Sequence, residues 1–468
     1  MLKKIALFPV FISLVACGNA IVGCSGSSPE LPGGSGGDGA VGTGGTGSGG
    51  SAAGSGGGSG VGSGGAAAAG GNSGVGGGGD GSSGGGDNAS GGASGEMEWL
   101  PSWATTIQSL EANKADHVPP TLPNNTVRQF IWPTVSGGQV RIQLSNEKGT
   151  TPVDIQKVHI ARSKSSDSLT NNGQIDTSTD TALTFGGVAN VTIPAGMTVW
   201  SDGVDFALEE LKFTAVTIQF GASVPSNVTN HPGSRTTSYF TSGDAVAAES
   251  LSSPETRDRW YFINALEVMA PSEASAIAVL GDSITDGYGI TVNKFVRWTD
   301  FLTLAIQEDP AIADTRSVLN FGMGANTLAS SSTYQDSGLI RFGRDVLTRN
   351  KVKYLIVLEG VNDITNTGTA QNVTDAYQDI IEQATAKGIK VFVSPLTPMN
   401  AETNSKRAEV NTWVRASSAY NAGVDFDKAI ADPSNPDNTQ AAFKNDDLHP
   451  SEAGYQAIAQ SVDLGLFH

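Results

Sequence analysis

The chain has 468 residues, with 46 Asp and Glu against 28 Lys and Arg, for a formal net charge of −18. That balance argues against nucleic acid or an anionic membrane surface as the main partner, because both are held through clustered cations. Only two cysteines occur, Cys17 and Cys24, so the chain beyond them has no disulfide and no thiolate metal site.

Lys3 and Lys4 precede a mostly apolar run over 5–16, too short to span a bilayer permanently and laid out as a secretory signal. It ends at Leu14-Val15-Ala16-Cys17, and a similar tetrapeptide follows at Ile21-Val22-Gly23-Cys24. Both resemble the bacterial lipoprotein box, in which the Cys is lipidated after cleavage. The Leu three places before Cys17 and the apolar run leading into it favour Cys17 over Cys24; the alternative is an ordinary cleaved signal with two incidental cysteines. The expectation is an exported protein lipid-anchored to the bacterial cell envelope, and otherwise a secreted one.

From 25 to 95 the sequence is almost wholly Gly, Ser and Ala, without Lys, Arg or an aromatic residue. It cannot bury enough apolar surface to offset its ordering entropy, and reads as a disordered linker. A coil of about 70 residues has a root-mean-square reach of roughly 45 Å, enough to hold a folded body off a membrane while tethering it. Two stretches, 33–37 and 81–85, match the G-x-S-x-G nucleophile elbow, but with neither strand nor helix around them they are composition only.

Over 96–270 the pattern is mostly period two, broken by turn residues. The stretch 127–135, the turn 136–138 and the stretch 139–145, with Val140, Ile142 and Leu144 alternating, predict a β-hairpin. Short strands follow at 153–160, 188–193, 197–200 and 213–220. The expectation is an antiparallel β-sandwich, jelly-roll-like, as an accessory domain. Trp132 and Trp200 fit its packing, although an exposed platform for sugar would look the same. His117, His159 and His231 lack metal-ligand spacing and read as surface or hydrogen-bonded core residues.

After 271 the rhythm changes. Apolar strands at 276–280, 318–319, 354–358, 391–395 and 424–426 alternate with helical segments at 295–307, 373–387, 406–418 and 453–467. Strands apolar throughout, separated by amphipathic helices, predict an α/β domain whose parallel sheet is covered on both faces. Chemistry in such sheets sits beyond the carboxyl ends of the strands.

The residues just past those ends are therefore the ones to inspect. They are Gly281-Asp282-Ser283, Asn320-Phe321-Gly322-Met323-Gly324-Ala325-Asn326 and Glu359-Gly360-Val361-Asn362-Asp363, with Asp446-Asp447-Leu448-His449 directly before the last helix. One sheet edge thus receives a nucleophile, a base with a carboxylate to orient it, and donors for an oxyanion, the inventory for acyl transfer. Ser283 needs a base to take its proton, and this half of the chain holds only His449 and the terminal His468. Asp446, three before His449, can accept the other imidazole N–H, with the adjacent Asp447 as its rival. The Asn362 amide, the Ser283 N–H and one N–H from 322–325 can donate to the developing oxyanion.

Together these blocks resemble the SGNH, or GDSL, hydrolase superfamily. The stretches "NNTVRQFIWPTVSGGQVRIQLSNEKGTTPV" (124–153), "LTFGG" (183–187), "GDSITDGYG" (281–289), "VLEGVNDI" (357–364) and "DLHPSEAGY" (447–455) are similar to its branch of secreted bacterial esterases with an amino-terminal β-domain. The resemblance covers nearly everything from Trp103 onward. It implies a three-layer, flavodoxin-like fold and a serine ester hydrolase without metal or organic cofactor. Ser283 becomes the nucleophile, with Asp446 and His449 completing the triad, and the N–H groups of Ser283 and Ala325 with the Asn362 amide become the oxyanion hole. Implied substrates are acetylated polysaccharides such as acetylxylan, or short-chain and aromatic acyl esters. The family usually has Gly at Ala325; Ala keeps the N–H, but at positive φ it costs roughly 1–2 kcal/mol, and Gly324 is the alternative donor.

The expected organisation is a signal region over 1–24, a linker over 25–95, a β-sandwich domain over 96–270 and an SGNH domain over 271–468. The alternative reading is a surface carbohydrate-binding protein that retains a degenerate hydrolase fold.

Overall fold

The structure, a computed structural model, describes residues 96–165, 169, 173–399, 403–417, 420 and 423–468. They fall in the second of the chain's two units, Asn88–His468. The signal region, Cys17 and Cys24, and the linker lie outside the described residues.

The amino-terminal part forms two antiparallel sheets. The first runs in the order Met97–Ala104, Ile263–Pro271, Gly137–Ser145, Thr198–Trp200, with Val204–Leu208 also on Gly137–Ser145. The second runs Glu255–Arg257, Ser238–Ser242, Asn125–Ile131, Thr214–Phe220, Val153–Arg162, Thr181–Leu183, with Val191–Ile193 also on Val153–Arg162. Alternation does what period two demands: Val140, Ile142 and Leu144 are buried while Arg141 and Gln143 between them stay half-buried. Val140, Ile142 and Leu144 join Val216, Ile218 and Phe220 of the second sheet in one apolar core.

The hairpin expected over 127–145 does not form. Asn125–Ile131 pairs with Thr214–Phe220 and Ser238–Ser242, whereas Gly137–Ser145 pairs with Ile263–Pro271, so the two strands lie in different sheets. Between them the chain is captured by the strand Met97–Ala104: Thr134 N–H donates to Ser102 O at 2.9 Å and the Ser102 hydroxyl to Val135 O at 2.7 Å. The glycine that suggested a turn meets a different demand. A Cβ on Gly137 would lie 2.2 Å from Val268 Cγ2, so glycine is there for close approach to the neighbouring strand.

The carboxyl-terminal part is built on a four-stranded parallel sheet in the order Arg316–Gly322, Ser275–Gly281, Val352–Leu358, Lys390–Val393. The strand Ser275–Gly281 is buried at every residue, as a central strand covered on both faces must be. Helix Trp298–Glu308 packs on Arg316–Gly322 and on helix Glu452–Gln460; helix Ala370–Ala386 packs on Lys390–Val393 and on helix Asn404–Ala416. The strand expected at 424–426 is absent among the described residues. Asp425 instead caps a helix, Phe426–Ile430, by accepting from Lys428 N–H at 3.1 Å, and Phe426 is buried as a helical residue.

The two parts share one hydrophobic core and are tied by polar contacts. Thr134 Oγ1 accepts from Val318 N–H at 3.2 Å, and the Arg349 guanidinium donates to Asn264 Oδ1 at 2.7 Å and Gln143 Oε1 at 2.6 Å. No helix among the described residues is long and apolar enough to cross a membrane.

Candidate active site

Ser283 owes its position to the end of the strand Ser275–Gly281. Gly281 has no room for a side chain, since a Cβ would lie 2.1 Å from Thr285 Oγ1 and 2.8 Å from Leu358 O. The next residue, Asp282, is fully buried and caps the one-turn helix Ser283–Asp286, accepting from Ile284 N–H at 3.0 Å. Burial pushes the Asp282 carboxyl well above the usual carboxylate range. Gly287, at φ 84°, ends the turn. Asn320 pins this turn to the next strand end, donating to Thr285 O at 2.9 Å and Thr299 Oγ1 at 2.8 Å.

The Ser283 hydroxyl lies 2.9 Å from His449 Nε2, across 166 residues of sequence. The other imidazole nitrogen, Nδ1, lies 2.9 and 3.0 Å from the two Asp446 oxygens. Those contacts select the tautomer with the proton on Nδ1, donated to Asp446, and the lone pair on Nε2 facing Ser283. Asp446 also accepts from the backbone N–H of His449 at 2.7 Å and of Leu448 at 2.9 Å. Partial burial opposes its charge, but these hydrogen bonds hold the carboxyl below its usual range. The rival, Asp447, is 82% exposed and pairs with Lys444 at 2.6 Å.

The loop after Arg316–Gly322 supplies one unclaimed donor. The N–H groups of Gly322, Met323, Gly324 and Asn326 donate to Asn320 Oδ1, Gly281 O, Asp286 Oδ2 and Met323 O, at 2.8 to 3.1 Å. Ala325 N–H has no protein acceptor among the described residues, and Ala325 is exposed. The expected alternative, Gly324, is therefore occupied by Asp286. Ala325 stands at φ 59°, the left-handed conformation in which a Cβ is costly. Asn362, in the helix Val361–Thr365, uses one amide N–H on Asn326 O at 2.8 Å, which fixes the amide's orientation and leaves the other N–H free.

A buried guanidinium braces these loops. Arg341 donates to Gly281 O at 2.7 Å, Phe321 O at 2.6 Å, Asn326 Oδ1 at 2.6 Å and Glu359 Oε2 at 2.9 Å, tying together the ends of three parallel strands. Burial, against the pull of Arg341, pushes the Glu359 carboxyl up to about 7. Asp363 accepts from Leu328 N–H at 2.7 Å and Ala329 N–H at 2.9 Å, closing the loop that carries Ala325.

Two neighbours, Tyr288 and Arg235, escaped the sequence reading, and a third, His231, is the hydrogen-bonded core residue expected but lies beside the site. Tyr288 stacks on His449 with ring centres 4.0 Å apart and planes 29° apart, and Arg235 lies 5.7 Å over the Tyr288 ring. His231 Nε2 lies 3.1 Å from Asp286 Oδ1, at the end of the turn that begins with Ser283. Tyr288 sits inside "GDSITDGYG", five residues past Ser283, and its place in that block could have singled it out. His231 and Arg235 come from the antiparallel part, where no spacing relates them to Ser283. The other two histidines of the antiparallel part pair locally, His117 with Glu111 at 2.8 Å and His159 with Asp180 at 2.9 Å.

Residues 279–457 match the GDSL-like lipase/acylhydrolase family. No curated protein sequence matches the chain. Among solved structures, a member of the lipolytic protein G-D-S-L family from Veillonella parvula DSM 2008 is 20% identical, with a TM-score of 0.32, over 40% of this chain and 96% of that one. The carbohydrate acetylesterase Est24 from Sinorhizobium meliloti is 14% identical, with a TM-score of 0.31, over 40% and 95%. The aryl esterase of M. smegmatis is 17% identical, with a TM-score of 0.32, over 40% and 96%. Likenesses this distant carry no argument about substrate; the weight rests on the family match and the residues it spans. The chain carries, at residues 279–457, a GDSL-like lipase/acylhydrolase (SGNH) domain, and the protein is a carboxylic ester hydrolase.

Proposed function

We propose that the protein hydrolyses its esters through an acyl-enzyme on Ser283. The observation that carries this reading is the 2.9 Å approach of the Ser283 hydroxyl to His449 Nε2, with Asp446 behind the imidazole. Ser283 Oγ attacks the ester carbonyl as its proton passes to Nε2, and the imidazolium so formed is stabilised by Asp446. The carbonyl oxygen becomes an oxyanion facing the N–H groups of Ser283 and Ala325 and the free N–H of Asn362. Collapse breaks the bond to the alcohol, which leaves with the proton from Nε2. Water then repeats the sequence, its proton going to Nε2 and returning to Ser283 Oγ as the acid is released.

The substrates we assign are short acyl esters, O-acetyl groups on polysaccharide first among them. This assignment, like the flavodoxin-like reading of the carboxyl-terminal part, is supported by resemblance to the secreted esterase branch; the jelly-roll reading is supported by the period-two strands over 96–270, and the lipid anchor at Cys17 or Cys24 by the two lipoprotein-box tetrapeptides. Ser283→Ala tests the mechanism. It should abolish both hydrolysis of 4-nitrophenyl acetate and labelling by a fluorophosphonate, with the melting temperature close to unchanged. Hydrolysis surviving in that variant would require another nucleophile. Screening acetylated xylan, feruloyl esters and short-chain nitrophenyl esters tests the substrate, and failure on all acetyl donors would overturn the acetyl assignment.

A further inference from the structure

The loop 231–236 reaches the site from the antiparallel part and brings a cation with it. Its backbone is pinned on every side. Asn293 N–H donates to Arg235 O at 2.8 Å, Asn293 Oδ1 accepts from Thr237 N–H at 2.8 Å, and Ser234 and Thr236 exchange hydrogen bonds of 2.9 to 3.1 Å. The Arg297 guanidinium closes the set by donating to Ser234 O. Within this frame Arg235 is held at φ 50°, a conformation that costs an ordinary residue about 1–2 kcal/mol and persists where its surroundings impose it.

What Arg235 lacks is an acceptor. Among the described residues every other arginine donates to a carboxylate or a carbonyl, as Arg297 does to Asp286 O and Arg344 to Asp336. Arg235 makes no side-chain hydrogen bond or ion pair there, and its Nε is buried without a partner. Asp286, the carboxylate that feels its charge, already has one oxygen on His231 and the other on Gly324 N–H. Arg235 is half-buried: Nε alone is shut away from water, while the two terminal nitrogens have no protein acceptor and stay open to one that a ligand brings.

Its position says which part of a ligand. In the proposed mechanism His449 Nε2 hands its proton to the departing alkoxide, so the alcohol half of the ester lies against the imidazole, away from the donors that hold the carbonyl oxygen. Tyr288 covers that imidazole, its backbone fixed by the Tyr455 hydroxyl on Tyr288 O at 2.8 Å, and Arg235 lies over Tyr288. We propose that Arg235 and Tyr288 form a subsite for a carboxylate on the alcohol half, so that the preferred substrates are acyl esters of hydroxy acids, such as acylated sugar acids or hydroxybenzoates. The planar guanidinium fork matches a carboxylate with two parallel hydrogen bonds, while the Tyr288 face supports the ring or sugar that carries it. Against a chain of net charge −18, this fixed cation selects at close range.

The inference rests on the assignment of His449 to the leaving alcohol, and its test reads binding rather than turnover, so its failure is distinct from failure of the triad. Calorimetry on the full protein compares 3-hydroxybenzoate with its methyl ester, an alcohol half with and without the carboxylate. The wild type should bind the acid at least about tenfold more tightly, Arg235→Gln should erase the difference, and Arg235→Lys should keep part of it. The preference should also narrow at high salt. Equal affinity for acid and ester in the wild type, or a preference that survives in Arg235→Gln, overturns the proposal.

Discussion

His231 and Asp286 meet at 3.1 Å, and that contact joins the antiparallel part of the protein to the turn that carries Ser283. The other Asp286 oxygen accepts from Gly324 N–H at 3.0 Å, one residue before the unclaimed N–H of Ala325. Gly233 makes the approach possible, since a Cβ there would sit 1.8 Å from Asp286 Oδ2. Burial opposes the charge on Asp286, yet His231, with Arg235 and Arg297, holds its carboxyl below the usual range. The antiparallel part therefore holds, through a relay of two hydrogen bonds, the loop whose Ala325 N–H is the proposed oxyanion donor.

His231→Leu cuts that relay and leaves a buried carboxylate short of a partner, at a cost of about 1–3 kcal/mol in stability. As a positioning residue, His231 should act on turnover more than on binding: kcat falls about tenfold, KM much less, because the oxyanion forms only in the transition state. Steady-state kinetics beside a melting curve check this. Lost stability with kcat unchanged would reduce His231 to a structural tie.

Ala325→Gly addresses the strained side of the same donor. The left-handed φ of 59° costs Ala about 1–2 kcal/mol, and glycine returns part of that gain through its freer unfolded chain. The variant should be more stable by about 0.5–1 kcal/mol, with turnover changed less than about threefold because the N–H is retained. A hundredfold rise in kcat would mean that alanine distorts the hole.

The sequence made the parallel strands and the converging blocks legible because both are local: apolar runs, and short motifs just past their ends. Strand partners were not legible. Val140, Ile142 and Leu144 alternate in the same way whether their neighbour is the preceding strand or Ile263–Pro271, and Gly137 looks like a turn residue when its reason is Val268. Val424 and Phe426 are apolar enough for a strand, but the N-cap at Asp425 turns the chain into a helix. Arg235 and the link from His231 to the site were invisible for a related reason, since each rests on a contact across about 50 residues that follows no period. The sign of φ at Ala325 decides the cost of alanine there, and only the loop's hydrogen bonds set it.

Asp446 and Asp447 are adjacent, yet their environments separate them. Asp446 takes four short contacts from His449 and Leu448, whereas Asp447 points to solvent and Lys444. Asp446→Asn should lower kcat by about 10²–10⁴, since the amide can no longer both accept from Nδ1–H and stabilise the imidazolium. Asp447→Asn should stay within about twofold of wild type, a surface pair being worth little. Equal losses in the two variants would contradict the assignment of Asp446 as the orienting carboxylate.

Glu359 gives the fold a pH dependence with a definite sign. Its carboxyl is pushed from 4.5 up to about 7 by burial, because the Arg341 charge that opposes the shift is shared with Asp345. Between those values the folded protein holds a proton that the unfolded chain has released. Stability therefore falls as pH rises through this window. Glu359→Gln keeps an acceptor for Arg341 and removes the titration. The stability difference between wild type and variant, followed by urea unfolding, should move against the wild type by about 2–3 kcal/mol from pH about 4.5 to about 7. A difference that stays flat across the window, or moves the other way, would mean that Glu359 is ionised throughout and that Arg341 outweighs its burial.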